Sequence, residues 1–333
     1  MLNRLTRRKL LATTGSGIVA ASVPASISGA GAQTADPWPT KPIRVIMPFG
    51  AGGSMDVLSR LLAPIVSEQL GQQVVVENRA GATGTVTMAA VAAAPADGYT
   101  LMFTGSSYSI IALLMRNLPF SMDAFTPLSR LTVGPTLLAV PPQLGVKTMA
   151  EFVTAAKAQP GKWSFGSSGI GTSVHLGGEL FKMAAGVDLA HVPYRATPAI
   201  VADLLENRIQ MSVLGVADCR QYIASGQLRG LALSYTERMP EFPDLPTFAE
   251  VGYPNVRASN DFGIAIRADT PAPIKARLEE VYRAAVRRPE IVKRLTDFGL
   301  IVVATSSAEF TRVLAEDAAR YSEVIRVANV KLE

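Results

Sequence analysis

The feature that most constrains this chain is a repeated order of short apolar run, glycine-rich loop and amphipathic stretch. Residues 43–48 (IRVIMP) read as a buried strand and 49–54 (FGAGGS) as a glycine loop. From Met55 to Leu70, apolar residues recur at Val57, Leu58, Leu61, Leu62, Ile65, Val66 and Leu70, a spacing that keeps one stripe of a helix apolar. Gly71 stops that helix. A strand over 73–77 (QVVVE), a turn over 78–83, an Ala-rich helix to Ala94 and a strand over 100–104 (TLMFT) follow. The order recurs after Pro141-Pro142. Helices are expected over 149–158, 173–185 and 198–205, with a short one ending at 222–225. Strands are expected over 162–166, 190–193, 210–214, 228–234 and 262–266, and 167–172 is a second small-residue loop. Helices over 274–288, from Pro289 and over about 310–328 complete the chain. Such alternation is the pattern of parallel sheets covered by helices, so the expected class is α/β. Two series predict two lobes and a cleft, with ligands held where loops gather at the carboxyl ends of strands.

Composition removes several function classes. The chain has 333 residues, 48% apolar and 18% charged, which is enough for a sizeable core. A single Cys excludes a disulfide framework and a cysteine-built zinc site. Two His, at 175 and 191, do not make a histidine-rich metal centre. No cofactor is expected. The net charge of +5 is misleading as a sign of nucleic-acid binding. Residues 1–32 hold four basic residues and no acid, so the remainder has 28 basic and 27 acidic side chains, a net of +1. A body so close to neutral has no general attraction for polyanions.

Residues 1–32 read as a cleaved export signal. Arg4, Arg7, Arg8 and Lys9 form a basic region, a mildly apolar run follows, and Ala30-Gly31-Ala32 has the form of a cleavage site, giving cleavage near Ala32. The stretch 6–11 (TRRKLL) resembles a twin-arginine motif. The apolar run is too interrupted for the ~20 residues that span a bilayer. The mature protein is expected to be soluble and exported.

Enzyme signatures fail in turn. Gly50 and Gly52 match the start of a dinucleotide fingerprint, but Met55 stands where its last glycine belongs, and Gly169-Ile170-Gly171 fails likewise at Val174. No phosphate-loop lysine motif occurs, and Gly166-Ser167-Ser168-Gly169-Ile170 lacks the final glycine of a nucleophile elbow. The loops 49–54 and 167–173 are instead small, hydroxyl-rich and followed by helices. Unpaired backbone N–H groups and the helix dipole favour an anion at such a point, and glycine lets it come close. Ser54, Ser168, Thr172 and Ser173 add hydroxyls, and Ser106 and Ser107 follow the third strand in the same way. Ordinary capped turns have the same composition, so the loops alone leave both readings open.

The blocks WPTKPIR (38–44), PFGAGGSMD (48–56), VVVENRAGATG (74–84), ADGYTL (96–101) and SFGSSGIGTSVHLGGELF (164–181) carry a resemblance. HVPYRATPAI (191–200), SGQLRGLAL (225–233), PDLPTFAEVGYP (243–254) and PEIVKRLTDFG (289–299) extend it. In this order they resemble the periplasmic substrate-binding proteins of tripartite tricarboxylate transporters. The resemblance implies a type II periplasmic-binding-protein fold, with two α/β lobes joined by two crossings. Lobe one is then 37–140 plus 258–333 and lobe two 141–257, with crossings near 138–142 and 256–262. It further implies a monomer that captures a small organic carboxylate by closure and delivers it to membrane transporter subunits. The matching ligand-binding positions are Phe49, Gly50, Ala51, Gly53, Ser54, Ser167, Ser168, Gly169, Thr172 and Ser173, with Arg195, Thr197 and Asp218 as further candidates.

Some positions depart from the family pattern. Gly50-Ala51 replace prolines, Met55 replaces Thr, Ala196 stands in a VPYKG-type block, and Asp261 stands where Trp is common. Asp261 is expected to contact a ligand ammonium group, to be solvated, or to pair with an Arg such as Arg195 or Arg257. Two rivals stand beside the transport reading. One is a ligand-sensing partner of a signalling receptor. The other is an enzyme on the same fold, using Cys219 or His175.

Overall fold

The computed structural model describes residues 38–81, 84–115 and 117–331, the side chain of Ser107 excepted. The export-signal reading of 1–32 lies outside these residues. The first strand, β1 (Ile43–Met47), has four of its five residues buried. The helix after it, α1 (Ser54–Leu70), buries Met55, Leu58, Leu62 and Val66 along one stripe and ends at Gly71, whose φ of 67° suits glycine. Then come β2 (Val74–Asn78), α2 (Thr85–Ala92), β3 (Thr100–Gly105) and α3 (Ser107–Leu114). Strand β1 lies between β2 and β3, parallel to both.

The longest strand was not legible in the sequence. It is β4 (Phe125–Val140), and it carries Pro127, Gly134 and Pro135. Such residues argue against a strand, except at bulges, and the register of β4 shifts between Pro127 and Ser129 and again between Arg130 and Thr132. The second half of the fold follows: α4 (Met149–Lys157), β5 (Trp163–Ser167), α5 (Ser173–Ala185), β6 (Leu189–Pro193), α6 (Thr197–Leu205), β7 (Met211–Gly215), α7 (Val216–Ala224) and β8 (Arg229–Ser234). Last come β9 (Ser259–Arg267), α8 (Ala272–Val286), α9 (Pro289–Asp297), β10 (Ile301–Val302) and α10 (Ser307–Val327).

Strand β4 joins the two halves. Its residues 125–135 pair antiparallel with β9, whose other edge pairs with β3. From Thr136 onward β4 pairs with β7 and β8 instead. In the second half β5 lies between β6 and β7, parallel to both. The order β2-β1-β3-β9-β4-β7-β5-β6 thus holds two parallel units, as the two sequence series implied. Each half has its own apolar centre. Leu58, Leu101, Ile264 and Tyr282 belong to one, and Phe152, Phe165, Phe181 and Val213 to another. Burying one such side chain contributes about 1.5–3 kcal/mol. Gly178 lets α5 sit on β5, because a Cβ there would stand 2.4 Å from the Phe165 ring.

Candidate functional site

Strands β1, β3, β5 and β7 all end at one cavity of about 600 Å³. Its wall takes Phe49–Asp56 from the β1–α1 loop and Gly105 and Ser106 from the end of β3. Ser168 and Thr172–Val174 come from the β5–α5 loop, Arg195–Pro198 from the start of α6, Asp218 from α7 and Asn260–Phe262 from β9. The helices α1, α5, α6 and α7 therefore start at this space. Their first amides have no acceptor inside the helix, and each start carries about half a positive charge. Arg195 is the one basic side chain among the described lining residues.

Thirteen expected residues are brought together here: Phe49, Gly50, Ala51, Gly53, Ser54, Ser106, Ser168, Thr172, Ser173, Arg195, Thr197, Asp218 and Asp261. Two others are not on the wall. Ser167 is fully buried in β5, where its Oγ lies 2.6 Å from His191 Nε2 and donates to the Gly169 carbonyl. Gly169 belongs to the loop but does not line the cavity, and its carbonyl also accepts from Thr172 Oγ1 at 2.9 Å. Both shape the loop from within. The Ser107 side chain lies outside the described residues. Sequence reasoning missed Met47, Met55, Asp56, Asn260 and Phe262. Asp56 sat inside the quoted PFGAGGSMD block and Asn260 one residue from Asp261, so proximity was the available signal.

The hydroxyls divide into two sets. Ser106 Oγ donates to the Ser259 carbonyl at 2.7 Å, and Ser173 Oγ donates to Asn260 Oδ1 at 2.6 Å. Thr172 Oγ1 caps α5 by accepting from His175 N–H. These three hold the frame. The side chains of Ser54, Ser168 and Thr197 have no hydrogen-bond partner among the described residues and are available to a ligand.

The acids on the wall differ in the same way. Asp56 accepts from Gly52 N–H, Arg60 Nε and Asn78 Nδ2. Burial alone would raise its pKa, but these bonds outweigh it and hold the carboxyl below its usual range. Its role is to tie down the glycine loop. Asp261 pairs through Oδ2 with Arg130 Nη2 at 2.6 Å, not with Arg195 or Arg257. The reason is strand register. Arg130 stands opposite Gly263 on β4, so it shares the face of Asp261, two residues along β9. Asp218 has no hydrogen bond or ion pair among the described residues, and burial pushes its pKa up to about 6.

That shift has a consequence for stability. The folded protein holds a proton on Asp218 more tightly than the unfolded chain does. Stability is therefore lost as pH rises from about 4 through about 6, by up to about 3 kcal/mol in all. The Asp218→Asn variant is expected to melt higher than wild type at pH 7 and at the same temperature at pH 4. Calorimetric melts at the two pH values check this, and an equal difference at both pH values contradicts it.

The residues of the enzyme rival lie elsewhere. Cys219 is buried, donates to the Gly215 carbonyl, and has its thiol pKa pushed well up by burial. His175 stacks on His191 at 3.9 Å beneath the loop, and its Nδ1 accepts from Gly171 N–H. Burial lowers the two pKa values to about 3 and about 4, so both rings are neutral at pH 7 and serve as props for the loop.

The sequence profile of the tripartite tricarboxylate transporter family receptor matches residues 58–330. The chain belongs to that family. Protein BugT of Bordetella pertussis, a relative of this receptor, is 32% identical over 328 residues, covering 98% of this chain and 99% of the relative. A Rhodopseudomonas palustris protein solved with adipate has a TM-score of 0.80 at 30% identity, covering 88% of this receptor and 99% of that chain. MatC of the same organism, solved with bound malate, has a TM-score of 0.77 at 27% identity, covering 86% and 99%. The receptor thus has the periplasmic-binding-protein fold.

Proposed function

We propose that this receptor is exported to the periplasm, captures a small organic carboxylate as a monomer by closing two lobes, and passes it to transporter subunits in the membrane. The lobes are residues 37–140 with 258–333, and residues 141–257. The observation that carries this reading is the meeting of the α1 and α5 starts at one cavity with no lysine among its described lining residues. Amide groups fixed in the backbone bind a carboxylate without the ordering that flexible cations require. The stretch of β4 from its change of partner after Pro135 to the expected crossing near 138–142, and the entry to β9 at Ala258–Ser259, are read as the two hinge points. Thr136 Oγ1 donates to the Ala258 carbonyl at 2.9 Å and ties them together. A ligand touching both lobes shifts the open–closed balance by its extra contacts in the closed state. Export is supported by the basic and apolar order of residues 1–32, and no described helix is long and apolar enough to cross a membrane. The adipate and malate complexes of the relatives support the ligand class.

Isothermal calorimetry with adipate, malate and a series of mono- and dicarboxylates tests the reading. Micromolar or tighter binding of at least one acid is expected. A folded receptor that takes up none of them overturns it.

A further inference from the structure

Of the four charged side chains that the described residues place on the cavity wall, two are already neutralised. Asp56 has Arg60, and Asp261 has Arg130. The other two, Arg195 and Asp218, have no ion pair among the described residues. One unpaired positive and one unpaired negative group therefore face the same space. A dicarboxylate satisfies only the first. Placed against Asp218, its second carboxylate meets a like charge in a partly desolvated site, which is repulsive unless a proton is taken up.

The position of Asp218 is fixed by its surroundings. It lies in the first turn of α7, whose start at Gly215 carries no side chain. A Cβ on Gly215 would stand 2.8 Å from Asp218 Oδ2 and 2.9 Å from Asn260 Nδ2. Glycine there thus leaves the Asp218 carboxylate and the Asn260 amide side by side. Asn260 in turn accepts, through Oδ1, from Ser173 at the start of α5. The acid and one of the two anion-binding helix starts are thus separated by a single side chain.

We propose that Asp218 determines the specificity of the cleft, and that it selects an amino-carboxylate, with the ligand ammonium on Asp218 and its carboxylate on the helix starts of α1 and α5. This rests on the carboxylate reading above and narrows it. An ammonium supplies the counter-charge and hydrogen bonds that Asp218 lacks. Without a ligand, the acid is held at a cost to folding, as binding groups often are.

The experiment is calorimetry at pH 7.5 with three matched pairs of probes: succinate and aspartate, glutarate and glutamate, propionate and β-alanine. Wild type is expected to bind the amino member at least ten times more tightly in one or more pairs. Asp218→Asn, a near-isosteric change expected to fold at least as well, should reduce that ratio to about one, mainly by weakening the amino member. Binding of plain acids with no preference for their amino partners overturns this inference and leaves the carboxylate reading standing. So does an Asp218→Asn variant that weakens both members equally. Absence of binding by all six probes to folded wild type overturns this inference, and the carboxylate reading is then decided by the wider acid series.

Discussion

Replacing Gly53 by Asp is expected to abolish carboxylate binding while leaving the fold intact or slightly firmer. Gly53 is the N-cap of α1, with φ −78° and ψ 167°, a conformation open to any residue, and no side chain caps the helix there. A Cβ at this position meets no atom within 4 Å. Aspartate is a favoured N-cap and contributes roughly a few tenths of a kcal/mol over glycine at this position. Its carboxylate then accepts from the α1 amides on which a ligand depends, and adds a fixed negative charge at the same point. Losing those amides and gaining a like charge is expected to cost at least 3 kcal/mol, or about 100-fold in affinity. Gly53→Asn caps the helix without the charge and should weaken binding far less. Titration calorimetry with parallel thermal melts separates the two effects. Wild-type affinity in Gly53→Asp contradicts the placement of the ligand.

The largest loss of stability is expected from Arg130→Met. Arg130 and Asp261 are both mostly buried, with side-chain exposures of 17% and 3%, at 2.6 Å. Asp261 Oδ1 has no hydrogen-bond partner, so Arg130 is the main compensation for this charge. Asp317 on α10 lies close enough to matter. Burial first, and the charge of Asp261 as well, act to push its pKa up, to about 6. Removing Arg130 leaves Asp261 buried beside another acid, paired only with what Arg320 provides to Asp317. Breaking a buried pair in this way costs about 3–5 kcal/mol. The double variant Arg130→Met/Asp261→Asn removes both charges and should recover most of the loss. Urea unfolding of the three variants decides the matter. A loss below about 1 kcal/mol, or a double variant no more stable than the single, contradicts the assignment. On this account Asp261 is an anchor between β9 and β4, and Asp218 is the acid left to the ligand.

The parts of the site legible in the sequence were those encoded locally. The loops 49–54 and 167–173 showed themselves because glycine and hydroxyl residues preceded a helical stripe within a few positions. Both reach the cavity. Strand β4 was not legible because Pro127, Gly134 and Pro135 read as breaks. Pro127 borders a bulge, and Gly134 and Pro135 stand in register at the end of the pairing with β9, just before β4 changes partner. Missing β4 also hid Arg130, so the partner of Asp261 was sought among Arg195 and Arg257. The hydroxyls of Ser106 and Ser173 were recognised as present at the site, but their use was not. Each is engaged by a residue of β9 far along the chain, and only the folded sheet brings β9 there. The same holds for Ser167, whose partner His191 comes from the neighbouring strand.

Two helix starts from opposite halves of the sheet are proposed to hold one acid group through main-chain amides, and a crystal structure of the receptor with its tightest-binding acid tests that most directly. The account places the ligand carboxylate within about 2.7–3.2 Å of amide nitrogens at both 53–56 and 172–174. A carboxylate held instead by Arg195 alone, or seated away from either helix start, contradicts it.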